Sequence, residues 1–440
     1  MRATSEITRL LTNYATTMKE VFILYLWENK LLFPNLLTTD KQPITILHPG
    51  TTNLDAGPDF LNARLKIGDT LWAGNVEIHV NASDWYKHRH DADKAYDNVV
   101  LHVVYEADKQ IYDSSQKAIP TLEIKKYFNT SILLRYRDFI DSRRWIACEN
   151  MLDKVQRFTW LSWLDRLIAE RLEIKTAQIF DLLSASGNDW EVCFYQLLVK
   201  NFGFKVNQLP FEQLARMLPL KILLKHRDQL FQLEALLYGV AGLLEGDFKD
   251  EYPKSLKNEF KFLAKKYELK IMEASQWRFM RMRPVNFPTI RIAQLAALIH
   301  KHGNLFSEIR YAQSSAQIVK LLKVEASAYW TNHFQFDKLS EGKIKKIGDD
   351  AISLILINTV VQSIFAYGKY HSDLSMQEKA LILLEELEPE NNSLIRKFEK
   401  AGFSASNALH TQSLIYMHQS YCKPKRCLEC RIGHVLLKNF

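Results

Sequence analysis

Residues 57 to 80 read GPDFLNARLKIGDTLWAGNVEIHV. Two apolar-rich runs flank Gly68-Asp69-Thr70, which predicts a strand, a tight turn and a second strand, with acids near the open end. If the turn has three residues, Ile67 faces Leu71 and Asp59 lies opposite His79, with Glu77 diagonal to it on the same face. A two-residue Gly68-Asp69 turn would send Asp59 to the other face. The chemistry expected of this stretch therefore depends on its register. Two carboxylates and an imidazole at one sheet end suit a hard divalent cation, because carboxylate oxygens hold Mg²⁺ or Mn²⁺ and leave positions for water and phosphate. A site of that kind hydrolyses phosphodiesters.

Upstream, the run KEVFILYLWENKLLF from Lys19 to Phe33 is apolar on most faces and stops at Pro34, as a helix buried against a sheet does. Its acids are Glu20 and Glu28. A strand is expected over Ile44 to Leu47, followed by a turn-rich loop, residues 53 to 58, that delivers Asp59. Leu61, Ala63, Leu65 and Ile67 share one face of the first central strand, and Trp72, Val76, Ile78 and Val80 one face of the second. Both strands are expected to be largely buried, as in a sheet covered by helices. Downstream, SDWYKHRHDADKAYD brings His88 and His90 into a polar segment. Their i,i+2 spacing is not that of a helical metal pair, so they read as solvent-exposed loop residues. His102, inside the strand NVVLHVVYE, reads as a hydrogen-bonded core histidine, and Thr121 to Lys126 forms a last strand.

Pro58-Asp59, a turn and then Glu77-Ile78-His79 resemble the motif of the PD-(D/E)XK nuclease superfamily. The resemblance implies that Asp59 and Glu77 hold the metal. His79 stands where the superfamily has a Lys that orients or polarises the attacking water, and it would do so as a neutral base or a transient cation. A helix acid sometimes joins such a site, which makes Glu20 a candidate.

The chain has 440 residues, enough for two or three cored domains, and its 47% hydrophobic and 25% charged content is that of a globular protein. With 58 Lys and Arg against 50 Asp and Glu, the net charge of +8 favours an anionic partner such as DNA or RNA. There is no secretory pattern near the start, and the most apolar window, residues 351 to 368, is interrupted by polar residues, so a buried helix and a cytoplasmic protein are expected.

From Phe158 onward helical periodicity takes over, notably over 211 to 244 and 290 to 300. Within it, QWRFMRMRPVNFPTIR spaces Arg278, Arg281, Arg283 and Arg291 among Trp277, Phe279 and Phe287. That is the pattern of a nucleic-acid groove, with guanidinium for phosphates and rings for bases. Near the end, Cys422, Cys427 and Cys430 give Cys-x4-Cys-x2-Cys among basic residues, a dense metal-ligand spacing. Cys148 is the preferred fourth ligand and His434 the alternative. Four thiolates suit Zn²⁺ or a [4Fe–4S] cluster, and His434 would favour Zn²⁺. Cys193 lies in an apolar helical run and reads as core.

The stretches already quoted, with RPVNFPTIRIAQLA and YCKPKRCLECRIG, resemble an uncharacterised bacterial family, domain of unknown function 2851, over the chain from about Met18. The expected fold is α+β, with a PD-(D/E)XK-like mixed sheet over residues 1 to 150, a helical domain over 151 to 340, and a helical region over 341 to 440 that ends in the cysteine cluster. The expected function is metal-dependent phosphodiester hydrolysis on nucleic acid. The alternative is a non-catalytic nucleic-acid-binding protein or scaffold that keeps the fold.

Overall fold

The computed structural model describes residues 18 to 438, which form a mixed α+β protein with its sheet in the N-terminal part and helices over most of the remainder. The described residues fall into two compact units: residues 18–159 with 419–438, and residues 160–418. One apolar core runs from Ile168 to Leu409, so residues 341 to 418 share the core of the preceding helices.

The first unit opens with α1 (Glu20–Glu28), whose Phe22, Ile23, Tyr25, Leu26 and Trp27 are buried. It ends five residues before Phe33, because Lys30 takes a left-handed conformation (φ 51°) and Phe33 N–H bonds the Tyr127 carbonyl at 2.5 Å. The sheet contains β1 (Leu36–Leu37), β2 (Pro43–His48), β3 (Thr51–Thr52), β4 (Phe60–Ile67), β5 (Thr70–Asn81), β6 (Val99–Glu106) and β7 (Thr121–Glu123). Its order is β1-β2-β4-β5-β6-β7, with β3 also on β4. The pairs up to β4–β5 are antiparallel, whereas β5–β6 and β6–β7 are parallel.

The central turn has two residues, since Ile67 pairs with Thr70. Gly68 takes φ 59°, which a type II′ turn requires at its first central position and which glycine adopts without strain. That register alone would set Asp59 opposite Ile78. It is corrected by a β-bulge: Ala63 pairs with Gly74 but Phe60 pairs with Val76, so Leu61 and Asn62 together oppose one residue. The extra residue returns Asp59 to the face of Glu77. It also changes the buried set of β4, which is Phe60, Ala63, Leu65 and Ile67 in place of Leu61, with Asn62, Arg64 and Lys66 exposed. β4 is therefore half-solvated, and only β6 is buried along almost its whole length. Asn62 sits at φ 58°. Asn62→Val should lower stability by about 1–2 kcal/mol, and Asn62→Gly should leave it unchanged or raise it, as measured by urea unfolding.

Gly74 lies where β5 begins to pair with β6. A Cβ there would meet Val100 Cγ1 at 2.4 Å and the Asn98 carbonyl at 2.7 Å. The short helix α2 (Asp84–Lys87) and two 3₁₀ turns, His90–Ala92 and Lys94–Tyr96, link β5 to β6, and α3 (Thr130–Asp141) follows β7.

The second unit begins within helix Arg157–Ala185. The periodic run from 211 to 244 is broken into helices Gln208–Met217, Leu220–Lys225 and Leu230–Val240, and a small hairpin, His333–Gln335 with Lys338–Leu339, interrupts the later helices. Among the described residues one helix, Asp349–Tyr370, is long and apolar enough to cross a membrane, and 78% of its apolar window is buried inside the protein. Glu234 is also buried in this unit, at 1% exposure, where Ser327 Oγ–H donates to it at 2.8 Å and Tyr252 O–H also donates. Burial pushes its carboxyl up to about 7 against the pull of those hydroxyls. An acid whose folded pKa is raised binds its proton more tightly in the native state, so its stabilising contribution is complete below about 4.5 and is lost as pH rises to about 7. Relative to Glu234→Gln, the native chain should lose on the order of 3 kcal/mol between pH 4.5 and 7 in urea titrations.

Candidate metal centre

Asp59 and Glu77 face each other across β4 and β5, and each carboxylate is anchored by the opposite strand's backbone. Asp59 N–H donates to Glu77 Oε2 at 3.0 Å, and Ile78 N–H donates to Asp59 Oδ2 at 2.9 Å. One oxygen of each acid is fixed in this way. Burial pushes the Asp59 carboxyl up to about 7, with the Glu77 charge adding to the rise and the Ile78 N–H opposing it. Glu20, half-buried at the start of α1, is raised by burial and then by Glu77 and Asp84. The structure thus brings Asp59, Glu77 and Glu20 together.

His79 is two residues beyond Glu77 on β5, with 1% exposure. Its Nδ1 lies 2.8 Å from His102 Nε2, and its Nε2 lies 3.0 Å from His88 Nδ1. Burial, and then the nearby His88 and His90, hold it down to about 3. Both ring nitrogens of His79 thus lie within hydrogen-bond distance of other imidazoles. His102 matches the core reading, being fully buried beside Glu77 in the parallel register.

His88 and His90 depart from the exposed-loop reading. His88 caps α2, Arg89 then takes a left-handed conformation (φ 62°), and the chain re-enters a 3₁₀ turn at His90. That reversal turns two rings at i and i+2 toward one centre, where His79, His88 and His90 each offer a ligand atom within 4.8 Å of the others. His90 Nε2 lies 3.3 Å from Glu77 Oε1, and His79 Nε2 lies 3.6 Å from the same oxygen. Tyr96 stacks on the His90 ring at 3.8 Å, and Trp85 meets it edge-on at 5.3 Å. His90 is buried and His88 is exposed, so the cluster opens to solvent on the His88 side.

Four of the cysteines lie near one another in the same unit. Burial raises the Cys148 thiol, and Cys430 and Cys427 are the charges that add to the rise. Cys422 is raised well above its usual value by burial and by Cys430, Cys148 and Cys427, and Cys427 is pushed up to about 12. His434 Nδ1 instead faces the Tyr25 hydroxyl at 3.1 Å, and Cys148 lies beside the C-terminal cysteines. Cys193 is buried in the second unit, near the Ile179 carbonyl.

In the second unit, Arg278, Arg281 and Arg283 are exposed, but Arg291 is buried. Its guanidinium donates to Gln294 Oε1 at 2.8 Å and Asn286 Oδ1 at 2.6 Å and lies over the Phe204 ring, so it cannot reach a phosphate. The Trp277 indole donates to the Ala241 carbonyl, and Phe279 packs edge-on against Phe287. The rings expected to stack on bases serve the interior instead.

These features define an α+β protein with a carboxylate and imidazole centre at one end of a mixed sheet. The family model described as protein of unknown function (DUF2851) matches residues 20–393, and the chain belongs to that family. No curated protein and no solved structure matches it.

Proposed function

We propose that the first unit is a metal-dependent phosphodiesterase of the PD-(D/E)XK type acting on nucleic acid. The observation that carries this is the reciprocal anchoring of Asp59 and Glu77, which sets the two carboxyls beside each other with Glu20 near enough for the three acids to act on one another electrostatically. The order of elements supports the reading. A helix bearing Glu20 precedes an antiparallel β2-β4-β5 set, and a helical crossover returns the chain to β6 parallel to β5, which makes the mixed sheet.

Carboxylate oxygens in this arrangement fit Mg²⁺ or Mn²⁺, which would supply positive charge to a phosphate and acidify a bound water. The protein's own part is to hold that charge with Asp59 and Glu77 and to shape the sheet end that receives the phosphate. In the net reaction a water oxygen bonds to phosphorus, the bond to one sugar oxygen breaks, and that oxygen takes up a proton. Arg278, Arg281 and Arg283 offer exposed cations for the backbone of the nucleic acid. The four cysteines would hold Zn²⁺ or a [4Fe–4S] cluster in a structural role, and the colour of the purified protein separates the two.

The test is incubation of the full chain with single- and double-stranded DNA and RNA plus Mg²⁺ or Mn²⁺. Cation-dependent cleavage lost in Asp59→Ala is the expected result. Salt-sensitive binding without cleavage would replace this reading with a non-catalytic nucleic-acid-binding protein.

A further inference from the structure

His79, His88 and His90 arrive from three different pieces of chain, namely β5, the end of α2 and the following 3₁₀ turn. Two rings two residues apart face one point only because Arg89 between them is left-handed. A conformation that L-residues adopt at a cost is retained here to bring imidazoles together. We propose that these histidines and Glu77 bind one transition-metal ion of the zinc class, distinct in chemistry from the Mg²⁺ or Mn²⁺ expected at the carboxylates.

The spacing supports this. Ligand atoms about 2.0–2.1 Å from a tetrahedral ion lie about 3.3 Å from one another. His79 Nε2 lies 3.0 Å from His88 Nδ1, Glu77 Oε1 lies 3.3 Å from His90 Nε2 and 3.6 Å from His79 Nε2, and the ligand atoms of the three histidines all fall within 4.8 Å of one another, a set that a bound ion would draw in. Borderline ions such as Zn²⁺, Co²⁺ and Ni²⁺ prefer imidazole, whereas Mg²⁺ requires oxygen and retains water.

The surroundings are those of a ligand set. A ligating histidine is held through its other nitrogen, and His79 Nδ1 is within 2.8 Å of His102 Nε2. His102 is fully buried, and its Nδ1 has no partner among the described residues, so it is a polar group kept in an apolar place at a cost that a positioning role accounts for. Tyr96 and Trp85 fix the His90 ring. His88 leaves one side open for a water or an anion.

Binding of this ion does not depend on the hydrolytic reading. Its role does: beside Glu77, the histidine-bound cation would supply the positive charge that the related motif obtains from Lys. The two claims separate in one set of measurements. Metal-free full-length protein is titrated with Co²⁺ and followed by absorption. The expected result is one equivalent with visible ligand-field bands and no thiolate charge-transfer band, distinct from any intense near-ultraviolet band of the cysteine cluster. Zn²⁺ should displace it, and a large excess of Mg²⁺ should not. His88→Gln and His90→Gln should weaken it by about 100-fold or more, with unchanged circular dichroism. X-ray absorption at the cobalt edge of the native protein, which needs no variant, should show imidazole ring scattering.

Cobalt bound only with thiolate bands, unchanged affinity in both variants, or displacement by Mg²⁺ would overturn the inference. If Co²⁺ binds as described and no nucleic acid is cut, the inference stands and the hydrolytic reading falls. If Mg²⁺-dependent cleavage is found while the native protein binds no histidine-type Co²⁺, the inference falls alone.

Discussion

Glu77→Ala should lower cation-dependent cleavage of nucleic acid by about 100-fold or more, because loss of a direct ligand costs at least as much as loss of an outer-shell partner. Glu77 occupies the one position that serves both halves of the centre. Its Oε2 accepts the Asp59 N–H, and its Oε1 faces His90 and His79. Removing it should therefore also release histidine-bound Co²⁺, whereas Asp59→Ala should abolish cleavage and leave that ion in place. Glu77→Gln keeps the volume and one oxygen and should be intermediate. Full cleavage by Glu77→Ala would show that the hydrolytic centre lies elsewhere.

Cys148→Ser, or prolonged chelation of the native chain, should lower the melting temperature of the first unit by about 10 °C or more, since several kcal/mol of metal binding appear as folding free energy. The thiols lie among one another in an environment that penalises bare thiolates, so without a cation they persist only as protonated groups. A bound cation makes the thiolates favourable and ties residue 148 to residues 422 to 430. His434→Ala is the control. It loses a hydrogen bond to Tyr25, but metal content should stay at the native level. Metal retained in Cys148→Ser and lost in His434→Ala would reverse the choice of fourth ligand. Differential scanning calorimetry with elemental analysis reads both.

The sheet end was legible because acids beside a turn are local signals, and the helical remainder because 3.6-residue periodicity is summed over long windows. The register was harder to read. The expected three-residue turn is replaced by a two-residue turn plus a bulge, two departures that offset each other at Asp59, and nothing in Leu61-Asn62 announces an extra residue beyond the tolerance of Asn for positive φ. His88 and His90 are illegible as a pair because i,i+2 spacing is not that of a helical metal pair, and the left-handed Arg89 that turns both rings to one centre leaves no signal in sequence. Arg291 misled for the opposite reason. It follows exposed arginines in sequence, but it lies on helix Pro288–Lys301, where nearly every side chain is buried.

The first unit is written in two instalments, residues 18 to 159 and residues 419 to 438, with the whole helical unit between them. The second instalment supplies three of the four cysteines, a helix whose His434 meets Tyr25, and a carbonyl at Leu437 that accepts from Arg135 Nη1 at 3.1 Å. During vectorial synthesis the usual order is therefore inverted. The helical unit has all its residues while the sheet-bearing unit still waits for the last ones to emerge. Until then Cys148 lacks the three cysteines beside which it lies in the folded unit, whereas His79, His88, His90 and Glu77 are all already made.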